Sequence, residues 1–252
     1  MKTRLDWDYT SLADAYVHRP SYSSAALDEI ARLPGLGHGA PALDLGAGMG
    51  HLSVGLAERG LDVLALEPND CMRAHGLRRT RDYPNVRWID ALMEETGLDD
   101  ESFALASYGS SFGVVDVQVT LREAARVLRR DGWLVCLWNH RNLEDPLQKR
   151  IEASIRAAIS DYRYGMRRQD PTPVIEASGL FGRTRRVEAS TNHFVSVDAW
   201  LEAWRSHATL QRQARGRFPE ILREIGDIVR SVASDTMVVP YTTRMWIAPR
   251  TG

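Results

Sequence analysis

The sequence predicts an α/β fold: a doubly wound, mostly parallel seven-stranded sheet with the last strand antiparallel and helical insertions forming a lid. Three observations predict it. Strand-length apolar runs alternate with helical patterns between residues 42 and 138, the rhythm of a parallel sheet with right-handed crossovers. The first run enters a helix through Gly46-Ala47-Gly48-Met49-Gly50. After Trp138 helical patterns dominate, and two further strands lack βαβ spacing and read as an edge hairpin with helical insertions.

The elements follow in order. Ser11 can cap a short helix, Leu12 to Val17, and Ser23 or Ser24 a second, Ala25 to Leu33. Pro34-Gly35-Leu36-Gly37 then breaks the chain. Ala42 to Leu45 reads as the first strand, His51 to Arg59 as a helix with Gly60 past its end, and Asp62 to Leu66 as the second strand. Cys71 to Thr80 (helix), Val86 to Ile89 (strand), Phe103 to Ala106 (strand) and Val117 to Leu128 (helix) continue the alternation. The turn Arg130-Asp131-Gly132 introduces a fifth strand, Trp133 to Trp138. Asp145-Pro146 is an N-cap and N1 pair, opening a helix with Ile151, Ile155, Ile159 and Tyr162 on one face. Thr172 to Ser178 is a helix closed by Gly179. Arg185 to Phe194 is a strand whose charges place it at the edge. Ser196 caps a helix running to Ala214, Pro219 to Ala233 is another, and Thr236 to Ile247 is the final strand.

Composition narrows the class. The chain has 252 residues, 44% hydrophobic and 26% charged, ordinary values for one globular enzyme domain. No apolar stretch reaches the roughly 18 residues of a membrane span. Met1 to Asp8 mixes charge with Trp7 and has no apolar signal core, so a cytoplasmic protein is the expectation. Cys71 and Cys136 lack partners at ligand spacing; neither a disulfide nor a metal site is expected. A net charge of −1 provides no footprint for nucleic acid. The clusters Arg78-Arg79-Arg81 and Arg183-Arg185-Arg186 belong to a general preference for arginine, since lysine occurs only at Lys2 and Lys149.

A strand, a glycine turn and a helix N-terminus form a recurrent nucleotide-binding unit. The dinucleotide fingerprint G-x-G-x-x-G needs a third glycine so that the helix can pack under a pyrophosphate. Here Gly46 and Gly48 are followed by Gly50 and His51, so that glycine is missing and a bulky imidazole stands in its place. Glu67 ends the second strand about 20 residues past the turn, where a ribose-binding carboxylate belongs. Asp90, followed by Ala91, ends the third strand and can read an adenine amino group. Each acid alone could cap a helix or face water; their order at successive strand ends argues otherwise.

These residues resemble the class I S-adenosylmethionine-dependent methyltransferase superfamily, with its Rossmann-like seven-stranded sheet, and within it the small-molecule type. Leu43-Asp44-Leu45-Gly46-Ala47-Gly48-Met49-Gly50 resembles its first motif, Glu67-Pro68-Asn69-Asp70-Cys71-Met72 its second and Asp90-Ala91 its third. Arg126-Val127-Leu128-Arg129-Arg130-Asp131-Gly132-Trp133 resembles the segment before its fifth strand. Tyr16-Val17-His18-Arg19-Pro20-Ser21-Tyr22-Ser23 resembles an N-terminal segment that folds over the cofactor, its arginine meeting the methionine carboxylate. The resemblance covers residues 9 to 140 well. It implies S-adenosylmethionine as cofactor, S-adenosylhomocysteine as product, no metal, and cofactor contacts from Tyr16, Arg19, Asp44, Gly46, Ala47, Gly48, Gly50, Glu67, Pro68, Met72, Asp90, Ala91 and Tyr108. Two departures stand out. Ala104 occupies a position that is Asp in many members, and Tyr108-Gly109-Ser110-Ser111-Phe112 replaces the Asn-Pro-Pro-Tyr of base- and protein-modifying N-methylases.

Methyl transfer from a sulfonium is an in-line displacement in which positioning and water exclusion supply most of the acceleration. Ligands in such sheets bind beyond the strands' carboxyl ends, which places Ser110, Ser111, Phe112, Asn139, His140 and Arg141 near the acceptor. His140 is the candidate base, with a loop histidine bonded to backbone as the competing reading. Arg141 either binds an acidic acceptor or pairs with Glu144 or Asp145. Tyr162, Tyr164, Trp204, Arg205 and His207 are candidate acceptor contacts from the lid, although Arg205 and His207, two apart, cannot share a helix face. Arg163, Arg167, Arg168 and Arg212 lie in the same segments, and an aromatic, arginine-rich lid suits a planar or anionic molecule. One domain, 1–252, is expected: 1–37 as N-terminal helices over the cofactor, 38–140 as cofactor-binding core, and 141–182 and 196–235 as lid insertions. The expected reaction is O- or N-methylation of a small molecule in specialised metabolism, by a monomer or homodimer without nucleic-acid or membrane partners. A macromolecular methyltransferase, or a cofactor-binding protein without methyl transfer, is the alternative. A nicotinamide oxidoreductase is disfavoured by His51 and by the lack of a Tyr-x-x-x-Lys pair.

Overall fold

Apolar runs that begin beside Gly and Pro breakers become the strands β1 (Pro41–Leu45), β2 (Asp62–Leu66), β3 (Val86–Ile89), β4 (Phe103–Gly109), β5 (Leu128–Arg141), β6 (Arg185–Ser196) and β7 (Thr236–Pro249) in a computed structural model of the chain. The structure describes residues 9–252; the charged segment 1–8 read above lies outside the described residues. The strands form one sheet in the order β3-β2-β1-β4-β5-β7-β6. The pairs among β1 to β5 are parallel, and β7 runs antiparallel to both neighbours. The charged strand β6 sits at the edge, as its composition predicts.

Helices form where the periodic patterns predict them, with shorter ends: α1 (Ala13–Tyr16), α2 (Ser24–Ala31), α3 (His51–Ala57), α4 (Asp70–Arg79), α5 (Val117–Val127), α6 (Pro146–Ala158), α7 (Thr172–Ala177), α8 (Val197–Arg205), α9 (Ala208–Ala214) and α10 (Phe218–Arg230). Alternation along the strands sorts side chains onto two cores. Leu43, Leu45, Ala106, Tyr108, Cys136 and Trp138 pack with α5 and α7. Ala42, Val63, Leu105, Val135 and Leu137 pack with α2 and α3.

Three elements depart from expectation. β4 and β5 run longer than their apolar centres, because β5 keeps pairing with β7 as far as Arg141, opposite Tyr241. The predicted turn Arg130-Asp131-Gly132 is an excursion inside β5: Phe103 pairs with Leu128 but Leu105 with Trp133. The helix expected from Ser196 to Ala214 breaks at Ser206 and His207, and the His207 imidazole caps α9 by accepting from the Leu210 amide at 3.3 Å.

Helices α6, α8, α9 and α10 build a third core of their own. Ile151, Ile155, Trp200, Trp204, Leu210, Ile221 and Ile225 close it over Val239 and Tyr241 of β7. Helix α7 does not join them; it packs Ile175 into the sheet core. Asp145 caps α6, accepting from the Gln148 amide at 3.0 Å with Pro146 at the first position. Asp145→Ala is therefore expected to cost about 1 kcal/mol, read as a lower thermal midpoint; an unchanged midpoint would contradict the cap.

Candidate active site

A cavity of about 430 Å³ opens at the carboxyl ends of β1, β4 and β5, where α/β sheets place their ligands. Its floor is the glycine turn. Gly46 (φ +68°), Gly48 (+57°) and Gly50 (+76°) all adopt left-handed backbone. A Cβ on Gly46 would lie 2.7 Å from Met93 Cε and 2.8 Å from Ser111 Cβ, so only glycine fits there.

An N-terminal strap forms one wall. Arg19 donates from Nε to Ser206 Oγ at 2.8 Å and from Nη2 to the Ser206 carbonyl at 2.9 Å, fastening the strap to the lid. Asn139 donates to the carbonyls of Pro20 and Ser21, Tyr22 shares a hydrogen bond with Ser110, and the Ser23 amide donates to Thr243. The roof comes from residues 163–168 and from α8 and α9. Trp204 stacks on His207 at 5.4 Å and 14°, and the Arg141 guanidinium lies 4.3 Å from the Trp204 ring centre.

Of the predicted residues, the cavity brings together Tyr16, Arg19, Asp44, Gly46, Ala47, Gly48, Ser110, Asn139, His140, Arg141, Tyr164, Trp204 and His207. Glu67, Pro68, Met72, Asp90 and Ala91 are not on its wall. Glu67, Pro68, Asp90 and Ala91 stand beyond the glycine turn, after the ends of β2 and β3, and Met72 lies in α4 with its Cε 3.3 Å from where a Gly48 Cβ would be. Gly50 is behind the turn as the residue preceding α3, facing Trp88.

Six assignments are corrected. Tyr108 is fully buried on the opposite face of the sheet, its hydroxyl bonded to Thr120; β4 continues through it, and strand alternation turns it into the core. Phe112 packs between Tyr108 and Trp138 in that same core. Ser111 donates to the Leu45 carbonyl beneath the glycine turn. Tyr162 is buried in the lid's own core, and Arg205 is exposed and paired with Glu202. Arg141 pairs with Glu152 at 2.8 Å and Gln148 at 2.7 Å, rather than with Glu144 or Asp145. Wall residues that motif spacing does not single out include Tyr9, Met166 and Ser206. Their only sequence signal is proximity to recognised segments.

Burial dominates the electrostatics. Asp44 is fully enclosed, accepts from Ser53 at 2.6 Å through Oδ2, and has no partner on Oδ1; burial lifts its pKa to about 7. Glu67 is raised for the same reason, although it accepts from the Gly48 amide at 2.8 Å and the Asn69 amide at 2.9 Å. Burial holds His51 and His140 down at about 3, with neighbouring arginines adding to it. Both are neutral imidazoles at ordinary pH. His140 Nε2 lies 2.6 Å from the Arg167 carbonyl, which assigns the proton to Nε2 and leaves the buried, unpartnered Nδ1 as an acceptor. No group of three or more potential metal ligands occurs among the described residues.

Sheet order and glycine turn make this a Rossmann-like fold with a cavity at its strand ends. The methyltransferase-domain family matches residues 43–136. An uncharacterized methyltransferase of Mycobacterium tuberculosis is 38% identical over 128 residues, 49% of this chain and 48% of that one; the match thus spans about half the length of its curated relatives. A proposed type II methyltransferase from Anaeromyxobacter dehalogenans shares the fold with a TM-score of 0.63 at 21% identity, over 92% of this chain and 97% of that one. Phosphoethanolamine N-methyltransferase 2 from Haemonchus contortus, solved with phosphomonomethylethanolamine and S-adenosylhomocysteine, gives 0.57 at 14% identity, over 96% and 58%. The matches support a methyltransferase domain at residues 43–136, with S-adenosylmethionine as the implied methyl donor. The residues present fit that cofactor: a glycine cradle that a Cβ would fill, a buried carboxylate oxygen without a partner in the cavity wall, and an acid at the end of β2.

Proposed function

We propose that this chain transfers a methyl group from S-adenosylmethionine to a small-molecule acceptor, on oxygen or nitrogen, held between the strand ends and the helical lid. One observation carries the reading: the glycine turn forms the floor of a cavity closed by the strap and roofed by residues 163–168, α8 and α9. Its volume is that of a small-molecule site. Bound S-adenosylmethionine supplies a methyl carbon on an already activated sulfonium.

The protein's work is then placement and exclusion of water. Gly46 and Gly48 admit the methionine arm against backbone, with Tyr16 and Arg19 over it and Ala47 beside it. Glu67 holds the ribose hydroxyls; Asp90 and Ala91 read the adenine, with Pro68 and Met72 against it. Asp44 faces the cationic part of the donor. Ser110, Asn139 and His140 line the acceptor side, where His140 Nδ1 takes a hydrogen bond from an acceptor hydroxyl or amine. Residues 141–171 and 196–235 act as the lid.

Calorimetric titration with S-adenosylmethionine, S-adenosylhomocysteine and NADH tests the donor site, and methyl-labelled donor tests the acceptor class. Binding of the first two ligands and label recovered in small molecules from a mixed cell extract are expected. Binding of NADH alone overturns the donor assignment, and label found only in protein or nucleic acid overturns the acceptor class.

A further inference from the structure

Six arginines line the cavity, Arg19, Arg141, Arg163, Arg167, Arg168 and Arg212, against one carboxylate, Asp44, among the described residues. Three of them have the following partners. Arg141 is held by Glu152 and Gln148. Arg168 donates to the Arg141 carbonyl and lies 4.7 Å from the Tyr164 ring centre. Arg19 is tied to Ser206.

Arg167 differs. Its carbonyl orients His140, but its guanidinium makes no hydrogen bond or ion pair with any described residue. It sits in a turn of 3-10 helix, Gly165–Arg168, over the strand ends. Burial and the charge of Arg19 both work against its cationic form, and its charge in turn helps to keep His140 and His207 neutral. A half-buried guanidinium is costly to leave uncompensated, and no carboxylate among the described residues pairs with it. S-adenosylmethionine does not relieve this, since its sulfonium and ammonium outweigh its single carboxylate.

We propose that the acceptor carries an oxyanion, a carboxylate or a phosphate, and that the Arg167 guanidinium binds it. This rests on reading the cavity as the methyl-transfer site. The fork of Arg167 can take such a group bidentately. Its carbonyl also fixes the tautomer of His140, so the residue that anchors the acceptor's charge also orients the imidazole on the acceptor side.

The test titrates benzoate, phenyl phosphate and neutral benzyl alcohol into the full chain, with and without saturating S-adenosylhomocysteine, in wild type, Arg167→Gln and Arg167→Lys. The anions are expected to bind wild type at least about tenfold more tightly than benzyl alcohol. Arg167→Gln should weaken them roughly 10- to 100-fold, with Arg167→Lys in between and S-adenosylhomocysteine affinity unchanged. Benzyl alcohol binding as well as the anions, or no measurable anion binding, overturns the proposal. So does unchanged anion affinity in both folded variants. Loss of S-adenosylhomocysteine affinity in Arg167→Gln assigns the guanidinium to the donor's carboxylate and also overturns it. Failure of wild type to bind S-adenosylhomocysteine at all counts against the donor reading instead, and the titrations without it still report on the anion site.

Discussion

Replacing Glu67 with alanine is expected to weaken S-adenosylhomocysteine binding by at least roughly 100-fold, because a charge-assisted hydrogen bond contributes about 1.5–3 kcal/mol and a ribose offers two hydroxyls. The carboxylate is nearly buried and already positioned by the Gly48 and Asn69 amides, so little ordering entropy opposes its use. Alanine also strands those two amides, and the thermal midpoint should fall with the affinity. Glu67→Gln separates the two effects. It keeps the shape and one amide partner but loses the charge, so affinity should drop while most of the stability returns. Unchanged affinity in folded Glu67→Ala would remove Glu67 from the donor site.

Binding of S-adenosylmethionine near pH 7 should release up to about one proton from Asp44. Burial raises this carboxyl to about 7 when folded, against an ordinary value near 4 in the unfolded chain. The folded protein therefore holds a proton that the unfolded chain loses between those values. Stability falls as pH rises through that window, and the full penalty, at most about 4 kcal/mol, is present above pH 7. A cationic ligand facing Oδ1 favours the ionised form and pulls the proton off. Titrations in buffers of different ionisation enthalpy should show this as a buffer-dependent heat. Asp44→Asn should abolish the buffer dependence and make the ligand-free protein more stable at pH 8 than wild type. A heat independent of buffer in wild type at pH 6 to 7 would show that Asp44 does not titrate on binding.

Much of the geometry of the proposed donor side was legible because its signals are local. A glycine turn after an apolar run, and acids at the ends of the next two strands, can be read within short windows. Asp44, Gly46, Gly48 and Glu67 all stand in or beside that turn. The acceptor side was legible only in part. Tyr108, expected as a cofactor contact, is carried inside β4 by pairing with β5, which turns the ring inward. His140 and Arg141 read as residues after β5, but pairing with Thr242 and Tyr241 keeps them inside it.

The order of the elements, the edge position of β6, the glycine floor and the caps at Asp145 and Ser196 were determined by the sequence itself, since each depends on residues a few positions apart. Which side chains face the cavity was decided by the tertiary structure. Arg19 meets Ser206 across 187 positions of chain and Asn139 meets Ser21 across 118. Arg167 has no ion-pair partner among the described residues, and its surroundings are set by the fold, which brings Arg19 and Arg141 toward it and pairs Glu152 with Arg141. Such pairings depend on how separate cores dock, and no local window of sequence carries that information.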